Sequence, residues 1–205
     1  TGGTAITLPT PTKTGYTFGG WYSDSGFTTQ VTGPISPTVN ITLYAKWTSG
    51  SFTITYTYNG ATGGNSTTTS TYVTGAPGVT LPTPTKTGYT FAGWNTQADG
   101  NGTSYVAGTG TYNTAADATL YAKWTGVVYT ITYNSNGSDG GTVPASGSYT
   151  NGGTSYSVLD NTGTLTKTGY TFAGWSTTVG GAAVANPYVP TASITLYARW
   201  TAGTY

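Results

Sequence analysis

The sequence predicts a mainly β protein, built as a tandem array of small units of about 76 residues. Two phrases recur in the same order three times: Lys-Thr-Gly-Tyr-Thr-Phe-x-Gly-Trp, first at Lys13, and Thr-Leu-Tyr-Ala-x-Trp, first ending at Trp47. Recurrence at a fixed period indicates one folding unit used repeatedly. Aromatic or aliphatic residues alternate with threonine in these phrases, and no long segment shows a 3.6-residue period. This alternation favours half-buried strands over helices.

The unit opens with an alternating segment, at residues 52–58 and again at 129–133. Aromatic and isoleucine side chains occupy one face of each segment, and threonine occupies the other. Each segment runs into an Asn-Gly pair, which begins at Asn59 in one copy and at Asn136 in the other. Because Asn-Gly tolerates the positive φ angles of tight turns, we predict an opening strand followed by a hairpin.

The middle and closing phrases predict the remaining strands. Glycine directly before tryptophan, as at Gly20 and Trp21, predicts a β-bulge that turns the indole inward. Prolines in residues 6–11 and 79–84 predict an extended edge segment. The variable segments after each tryptophan are predicted to be loops, with one short helical turn each. The closing phrase, residues 41–47 in the first copy, predicts a strand with its aliphatic residues and tryptophan on one face.

Recurring aromatic and leucine side chains are the candidate core residues, since aromatic rings bury large areas even in small units. They are Phe18, Trp21, Leu43, Trp47, Phe91, Trp94, Leu120, Trp124, Phe172, Trp175, Leu196 and Trp200. The tyrosines of the closing phrase alternate with these residues and point to the opposite face. Tyr44, Tyr121 and Tyr197 are therefore the candidate interaction surface, either exposed or between repeats.

The residue types argue against catalysis. The chain has no histidine and no cysteine, which removes the usual general bases, thiol nucleophiles and soft metal ligands. Its five acidic residues are all aspartate, and none recurs at one place in all three units. Asp99-Gly-Asn101 weakly resembles the start of a calcium loop, but residues 104–110 supply no closing acid. We expect a non-enzyme without catalytic residues, cofactor or metal site.

Charge and hydropathy limit the partners. Charged residues make up 5% of the chain and the net charge is +1. The chain therefore has no basic patch that would attract a phosphate backbone. We therefore expect no nucleic-acid partner. No apolar run approaches the roughly 20 residues that a membrane-spanning helix needs, so we expect no membrane span.

Three motifs in fixed order resemble the Listeria–Bacteroides repeat, the family that includes the B repeats of internalins. They are Tyr-Thr-Ile-Thr-Tyr at residues 129–133, Gly-Tyr-Thr-Phe-Ala-Gly-Trp at 88–94 and Leu-Tyr-Ala-Lys-Trp at 120–124. The resemblance covers essentially the whole chain. It implies small β-grasp-like domains in tandem on secreted or wall-attached bacterial proteins, with spacer, adhesion or partner-binding roles and no catalysis. This chain has fewer charged residues and more Gly and Thr in its loops than typical members.

The repeats predict four segments. Residues 1–48 form an incomplete repeat without its opening strand and hairpin, residues 49–125 and 126–200 are complete, and residues 201–205 begin a further repeat. Two explanations stay open for the first copy: the chain is a segment of a longer repeat protein, or a neighbouring molecule supplies the missing strand, since an unpaired sheet edge accepts a strand from another chain.

The leading functional hypothesis is a structural segment of a secreted or cell-surface repeat protein, such as a stalk, an adhesin or an extracellular filament. It would assemble through end-to-end contacts or strand complementation, and its partners would be neighbouring repeats or copies of the same protein. The alternative is a binding module for surface glycans or a host protein, using the tyrosines and the variable loops.

Overall fold

The computed structural model describes residues 4–64 and 66–203. These residues form strands, turns and loops without a helix, which confirms the mainly β prediction. The short helical turns predicted after each tryptophan are absent from the described residues. Glycine, threonine and asparagine dominate those segments and favour turns over helix. The start of a further repeat, predicted at residues 201–205, lies in part outside the described residues.

The chain divides into two compact units that are interleaved in sequence. The first contains Thr1–Pro84 and Ala92–Lys123, and the second contains Thr85–Phe91 and Trp124–Tyr205. A short part of the second repeat therefore belongs to the same compact unit as the third. The repeat boundaries predicted from the sequence stay a prediction, and the terms repeat 1, 2 and 3 below refer to residues 1–48, 49–125 and 126–200.

Repeat 1 forms a three-stranded antiparallel sheet of order β2-β1-β3. Its strands are β1 (Tyr16–Tyr22), β2 (Gln30–Val31) and β3 (Tyr44–Ser49). The register between β1 and β3 shifts between Phe18 and Trp21, which is the β-bulge that glycine before tryptophan predicts. An isolated bridge also pairs Ile6 with Ile35.

Repeat 2 forms a five-stranded sheet of order β10-β9-β12-β4-β6 and two small two-stranded sheets, β11-β7 and β5-β8. Its strands are β4 (Ser51–Thr57), β5 (Gly63–Gly64), β6 (Thr69–Val73), β7 (Val79–Thr80), β8 (Pro84–Thr85), β9 (Tyr89–Asn95), β10 (Ser104–Tyr105), β11 (Thr111–Tyr112) and β12 (Ala118–Gly126). The opening strand β4 lies antiparallel to β6 and parallel to the closing strand β12. The predicted opening strand and hairpin are therefore present.

Repeat 3 forms a four-stranded sheet of order β14-β13-β16-β15 in the second compact unit. Its strands are β13 (Val128–Asn134), β14 (Gly147–Thr150), β15 (Tyr170–Ser176) and β16 (Ile194–Ala202). The opening and closing strands, β13 and β16, are again parallel and central. The more specific β-grasp-like arrangement stays a prediction.

The closing strand is shorter in repeat 1 than the sequence predicts. The closing phrase predicts a strand from Ile41, whereas β3 begins at Tyr44. In the complete repeats the matching residues, 118–121 and 194–197, pair with the opening strands β4 and β13. The prediction for residues 41–43 is wrong because a strand needs a hydrogen-bonding neighbour, and none lies beside these residues within the described part of the chain.

The core of each complete repeat lies between its opening strand, its closing strand and the middle tryptophan. In repeat 3, Ile131, Leu196 and Trp175 are all buried in one cluster. The Trp175 indole N–H donates to the Leu159 carbonyl at 2.7 Å, which satisfies its polar atom inside the apolar surroundings. The Trp94 indole donates to the Pro82 carbonyl at 2.9 Å in the same way.

The buried phenol of Tyr133 predicts a pH dependence of stability. Burial raises the pKa of this hydroxyl above its usual value near 10, and its hydrogen bond with the Tyr156 hydroxyl raises it further. The folded state thus keeps the Tyr133 hydroxyl protonated, whereas in the unfolded chain the same hydroxyl ionises above about pH 10. The stabilisation is present below about pH 10 and is lost as the pH rises further.

We expect Tyr133→Phe to flatten the alkaline fall in the unfolding free energy of the second unit. At neutral pH the same change costs about 1 kcal/mol, because the Leu159 amide, which donates to this hydroxyl at 3.0 Å, loses its acceptor. Urea unfolding at a series of pH values between about 8 and 11 measures both effects. An unchanged alkaline slope in the variant would contradict the assignment to Tyr133.

Candidate functional site: the repeat joint

The recurring Lys-Thr-Gly-Tyr phrase forms a tight turn before the middle strand of each repeat. In repeat 1 the Tyr16 amide donates to the Lys13 carbonyl at 3.0 Å, which closes the turn. Gly15 has a φ of +78° there, in the left-handed region that L side chains rarely adopt. The turn thus exposes the backbone of Gly15 to the segment that links repeat 1 to repeat 2.

Two backbone hydrogen bonds tie this turn to the next repeat. The Gly50 amide donates to the Gly15 carbonyl at 2.8 Å, and the Thr74 amide donates to the Gly50 carbonyl at 3.0 Å. Gly50 lies between the closing strand of repeat 1 and the opening strand of repeat 2, and Thr74 follows β6. The linker is therefore held on both sides. We call this arrangement the repeat joint. It consists of the Lys-Thr-Gly-Tyr turn, the linker residue Gly50, and the two residues after β6, Thr74 and Gly75.

The joint is also packed tightly at the side-chain level. A Cβ placed on Gly15 would lie 2.6 Å from Thr74 Oγ1 and 2.7 Å from the Ala115 Cβ. A Cβ placed on Gly75 would lie 2.9 Å from the Tyr16 hydroxyl oxygen. Contacts under 3.0 Å leave no room for a methyl group, so glycine at both positions permits the close approach of turn and hairpin.

The same joint recurs in the second compact unit. The Val127 amide donates to the Gly88 carbonyl at 2.9 Å, and the Asn151 amide donates to the Val127 carbonyl at 2.9 Å. Val127 occupies the place of Gly50 in the repeat, and Asn151 occupies that of Thr74. The Tyr89 hydroxyl fills the space beside Gly152 as Tyr16 does beside Gly75.

The third copy of the phrase carries the first half of a joint. The Tyr170 amide donates to the Lys167 carbonyl at 3.0 Å, and the Gly203 amide donates to the Gly169 carbonyl at 2.8 Å. Tyr170 is 47% exposed, whereas the equivalent Tyr16 and Tyr89 are half-buried. The turn and its linker bond thus form in this copy as well, with the Tyr170 ring about half exposed.

The lysine of each phrase covers a ring of the joint. The lysine ammonium lies 4.1 Å from the Tyr16 ring centroid in repeat 1, 4.5 Å from that of Tyr89 in repeat 2 and 5.0 Å from that of Tyr170 in repeat 3. Cation–π contacts of this kind contribute about 0.5–1 kcal/mol at exposed sites. The lysines therefore orient the joint tyrosines and leave their ammonium groups near solvent.

The predicted core residues differ in burial between repeats. Trp94, Leu120, Trp175 and Leu196 are buried, and Phe18, Trp21, Leu43, Trp47, Phe91, Trp124, Phe172 and Trp200 are half-buried. The pairing of phenylalanine with the closing tryptophan recurs, with ring centroids 5.4 Å apart for Phe18 and Trp47 and 5.3 Å for Phe91 and Trp124. The lysine of the phrase also approaches the tryptophan of each pair, with its ammonium 5.9 Å from the ring centroid of Trp47 or Trp124.

The predicted interaction tyrosines lie on the closing strands, one in each repeat. Tyr44 is 39% exposed, whereas Tyr121 and Tyr197 are half-buried. Tyr44 pairs with Tyr22, Tyr121 with Thr57 and Tyr197 with Asn134 in the sheet registers. None of the three belongs to the joint. Tyr16 and Tyr89 are not among the residues predicted from the sequence, although the recurrence of the whole Lys-Thr-Gly-Tyr phrase was a signal for a shared role.

The polar residues considered as metal ligands form a turn. Asp99 accepts hydrogen bonds from the Asn101 amide and from the Asn101 side chain, both at 3.0 Å. Residues 4–64 and 66–203 contain no cluster of three or more residues suited to hold a metal ion. Among these same residues there is also no helix long and apolar enough to cross a membrane.

The strand order and the recurring joint define an all-β tandem-repeat protein. The family profile of the Listeria–Bacteroides repeat domain matches residues 1–46, 52–123 and 129–199. The chain therefore belongs to the Listeria–Bacteroides repeat family, and the resemblance predicted from the motifs is confirmed. No solved structure matches the chain.

Two relatives show the setting in which such repeats occur. Over 136 residues the chain is 34% identical to a protein of Evansella cellulosilytica whose name describes a Gly-rich membrane protein, with 61% of the chain and 16% of the relative covered. Over 118 residues it is 39% identical to Internalin H of Listeria monocytogenes, with 56% of the chain and 20% of the relative covered. The chain thus spans a fifth or less of the length of these relatives, and neither is named as an enzyme.

Proposed function

We propose that this chain is a structural, non-enzymatic segment of an extracellular, cell-surface repeat protein, such as a stalk, an adhesin or a filament. The observation that carries the proposal is the repeat joint, which uses the same backbone hydrogen bonds at Gly15 and at Gly88. An arrangement that recurs with the same backbone atoms fits a role in which consecutive repeats are connected in a defined way. The membrane-protein and internalin names of the relatives support a location at the cell surface.

The joint would act as a stiff spacer. Its linker residue in the first compact unit, Gly50, is bonded to the turn before it and to the hairpin after it, so rotation about this linker would break one or both bonds. Glycine at the turn and in the hairpin removes the side chains that would hold the two surfaces apart. Tyrosine then fills the remaining space with a rigid ring.

Distance measurements between spin labels test the spacer role. The chain has no cysteine, so Ser25→Cys and Ala98→Cys would give two labels at exposed sites in repeats 1 and 2. We expect a single narrow distance distribution that Gly15→Ala broadens. Gly33→Ala is the matched control, since Gly33 also has a positive φ of +72° but nothing within 4 Å. A broad distribution in the unmodified joint would contradict a stiff spacer.

A binding module for surface glycans or a host protein is the second candidate. The exposed ring of Tyr44 favours it, since tyrosine offers a flat apolar face and a polar hydroxyl to a partner. Binding on a glycan array that disappears when Tyr44, Tyr121 and Tyr197 are changed to alanine would support this role. Joint variants would leave such binding unchanged, which separates the two candidates.

A further inference from the structure

The segment between the middle and closing tryptophans is longest in repeat 2. Trp94 and Trp124 are 30 positions apart, whereas the matching tryptophans are 26 positions apart in repeat 1 and 25 in repeat 3. In repeat 2 this segment contains the short strands β10 and β11. Binding residues concentrate in loops that a rigid scaffold holds in place, so this loop is where repeat 2 differs from its neighbours.

A buried asparagine holds the loop in one conformation. Asn95 is 0% exposed, and its side-chain NH₂ group donates to the carbonyls of Gly100 and Gly102 at 3.0 Å and to the Ser104 hydroxyl at 2.9 Å. Its side-chain oxygen accepts from the amides of Gln97 and Gly102, at 2.8 Å and 3.0 Å. Tyrosine and serine occupy the place of this asparagine in repeats 1 and 3. The amide network is therefore specific to repeat 2 and preorganises its loop.

The ordered loop borders a cleft of about 420 Å³, which is within the roughly 300–1,000 Å³ range of small-molecule sites. The start of the closing strand β12 also lines this cleft. Two loop residues in it are linked, since the Thr103 amide donates to Thr96 Oγ1 at 2.9 Å. We call it the Asp117 cleft. Hydroxyl groups, a carboxylate and tyrosine rings line it, from side chains that include Thr96, Thr103, Tyr105, Tyr112, Asp117 and Thr119.

Asp117 has more hydrogen-bonding capacity than its structural role uses. One carboxylate oxygen accepts from the Thr53 amide at 2.7 Å and so caps the opening strand. In repeat 3 a single hydroxyl meets the same need, since Ser193 accepts from the Thr130 amide at 3.0 Å. Within the described part of the chain, no donor binds the second oxygen of Asp117 and no cation pairs with it. The carboxylate therefore brings an unused acceptor and a negative charge to the cleft.

Two tyrosines give the cleft an apolar side. Tyr112 is buried, and its hydroxyl donates to the Ala116 carbonyl at 2.8 Å, which fixes the ring. Tyr105 is half-buried, and its ring centroid lies 5.7 Å from that of Tyr112. Because Tyr105 lines the cleft, the accessible part of its ring is available to a ligand.

These groups match the chemistry of a neutral sugar. A pyranose ring has hydroxyls that donate to a carboxylate and accept from threonine, and its C–H face packs against a tyrosine ring. An anionic ligand is disfavoured, because among the described residues no lysine or arginine lines the cleft beside Asp117. A second cleft of about 280 Å³ shares Asp117 and Thr119 and is also lined by Thr53 and Thr55. This second cleft leaves room for the next unit of a sugar chain.

We propose that the Asp117 cleft binds a neutral pyranose unit of a polysaccharide. One sugar hydroxyl would donate a charge-assisted hydrogen bond to the second oxygen of Asp117. The Thr103 hydroxyl would bind another, and the sugar ring would pack against Tyr105. This inference rests on the second candidate function, glycan binding, and assigns the contact to the loop of repeat 2 instead of the closing-strand tyrosines.

Titration of neutral trisaccharides into the isotope-labelled 205-residue chain tests the site by NMR. Cellotriose, maltotriose, mannotriose and chitotriose present neutral pyranose units in different linkages. We expect at least one of them to shift the amide signals of Thr103, Ala118 and Thr119 saturably, with a millimolar dissociation constant because a single ring buries little area. The anionic trigalacturonate is the charge control and should cause no saturable shift.

Asp117→Ser separates sugar binding from the strand cap. Serine should keep the cap as Ser193 does in repeat 3, so the Thr53 amide should stay protected from hydrogen exchange. The affinity for the sugar should fall about tenfold or more, since a charge-assisted hydrogen bond is lost. Asp117→Asn keeps an acceptor oxygen in the same place and should weaken binding in the same direction with the fold intact. Asp99→Ser is the matched control, because Asp99 is an exposed acid of the same loop outside the cleft.

The possible failures are distinguishable. Unchanged affinity in Asp117→Ser, or an equal loss in Asp99→Ser, would overturn the site and leave glycan binding intact. A loss in Tyr121→Ala with none in Asp117→Ser would place the sugar on the closing-strand tyrosines. Tighter binding of a cationic glucosamine trimer than of any neutral sugar would assign the cleft to an amine. No saturable shift with any neutral trisaccharide would overturn both the site and the glycan-binding candidate, while the spin-label distances would still decide the spacer role.

Discussion

Trp94→Ala is expected to lower the free energy of unfolding of the first compact unit by about 3–5 kcal/mol. Trp94 is fully buried, and its ring lies 5.1 Å from that of Tyr56 and 5.4 Å from that of Tyr58. Removal of the indole leaves a cavity beside the Tyr56 and Tyr58 rings, and the Pro82 carbonyl loses its donor. Hydrogen exchange of the Ile54 and Leu120 amides under native conditions measures the loss.

Trp21→Ala is the matched control for this prediction. Trp21 stands at the same place in the phrase and donates to the Pro9 carbonyl as Trp94 donates to that of Pro82. It borders an open groove and is half-buried, so less apolar area is lost on its removal. We expect a clearly smaller destabilisation. Equal losses for the two tryptophans would show that the opening strand contributes little to the core.

Gly15→Ala is expected to destabilise the first repeat joint by about 2–5 kcal/mol. An L residue at the positive φ of Gly15 costs roughly 1–2 kcal/mol. The new methyl group would also press on Thr74 and Ala115, at 2.6 Å and 2.7 Å, and overpacking of this kind costs about 1–3 kcal/mol more. Ala115 offers no alternative rotamer, so relief requires movement of the backbone.

Exchange of the Gly50 and Thr74 amides reports on the joint directly, because both donate hydrogen bonds within it. Gly33→Ala carries the same backbone strain with nothing within 4 Å, so it should cost only the roughly 1–2 kcal/mol of conformational strain. The difference between the two variants isolates the contact between turn and hairpin. Equal protection of the Gly50 amide in both variants would contradict the packed joint.

Much of the fold could be predicted from particular residues. Alternation of threonine with aromatic residues predicted strands β4 and β13, and glycine before tryptophan predicted the bulge between Phe18 and Trp21. These features are local, because a period of two and a glycine at a bulge act through neighbouring residues. The start of the first closing strand was mispredicted, since pairing of residues 41–43 depends on a partner distant in sequence.

The candidate site was less accessible to sequence reasoning. The tyrosines chosen from the closing phrase, among them Tyr44, alternate with core residues and therefore suggested a surface. The joint instead uses Tyr16 and Tyr89, whose role depends on hairpin residues about 60 positions later in the chain. The residues around Gly75 and Gly152 do not show that a tyrosine side chain packs against these glycines. The same local pattern would fit a glycine that is needed only for a turn.

The sequence alone determined that this protein is a β tandem repeat of the Listeria–Bacteroides family, because periodicity and recurring motifs depend only on the order of residues in the chain. Only the tertiary structure decided which glycines form the joint and how deeply each middle tryptophan is buried. Both features depend on contacts between segments far apart in sequence. Close approach and the absence of a neighbour are properties of packed surfaces, which a linear pattern of residue types does not encode.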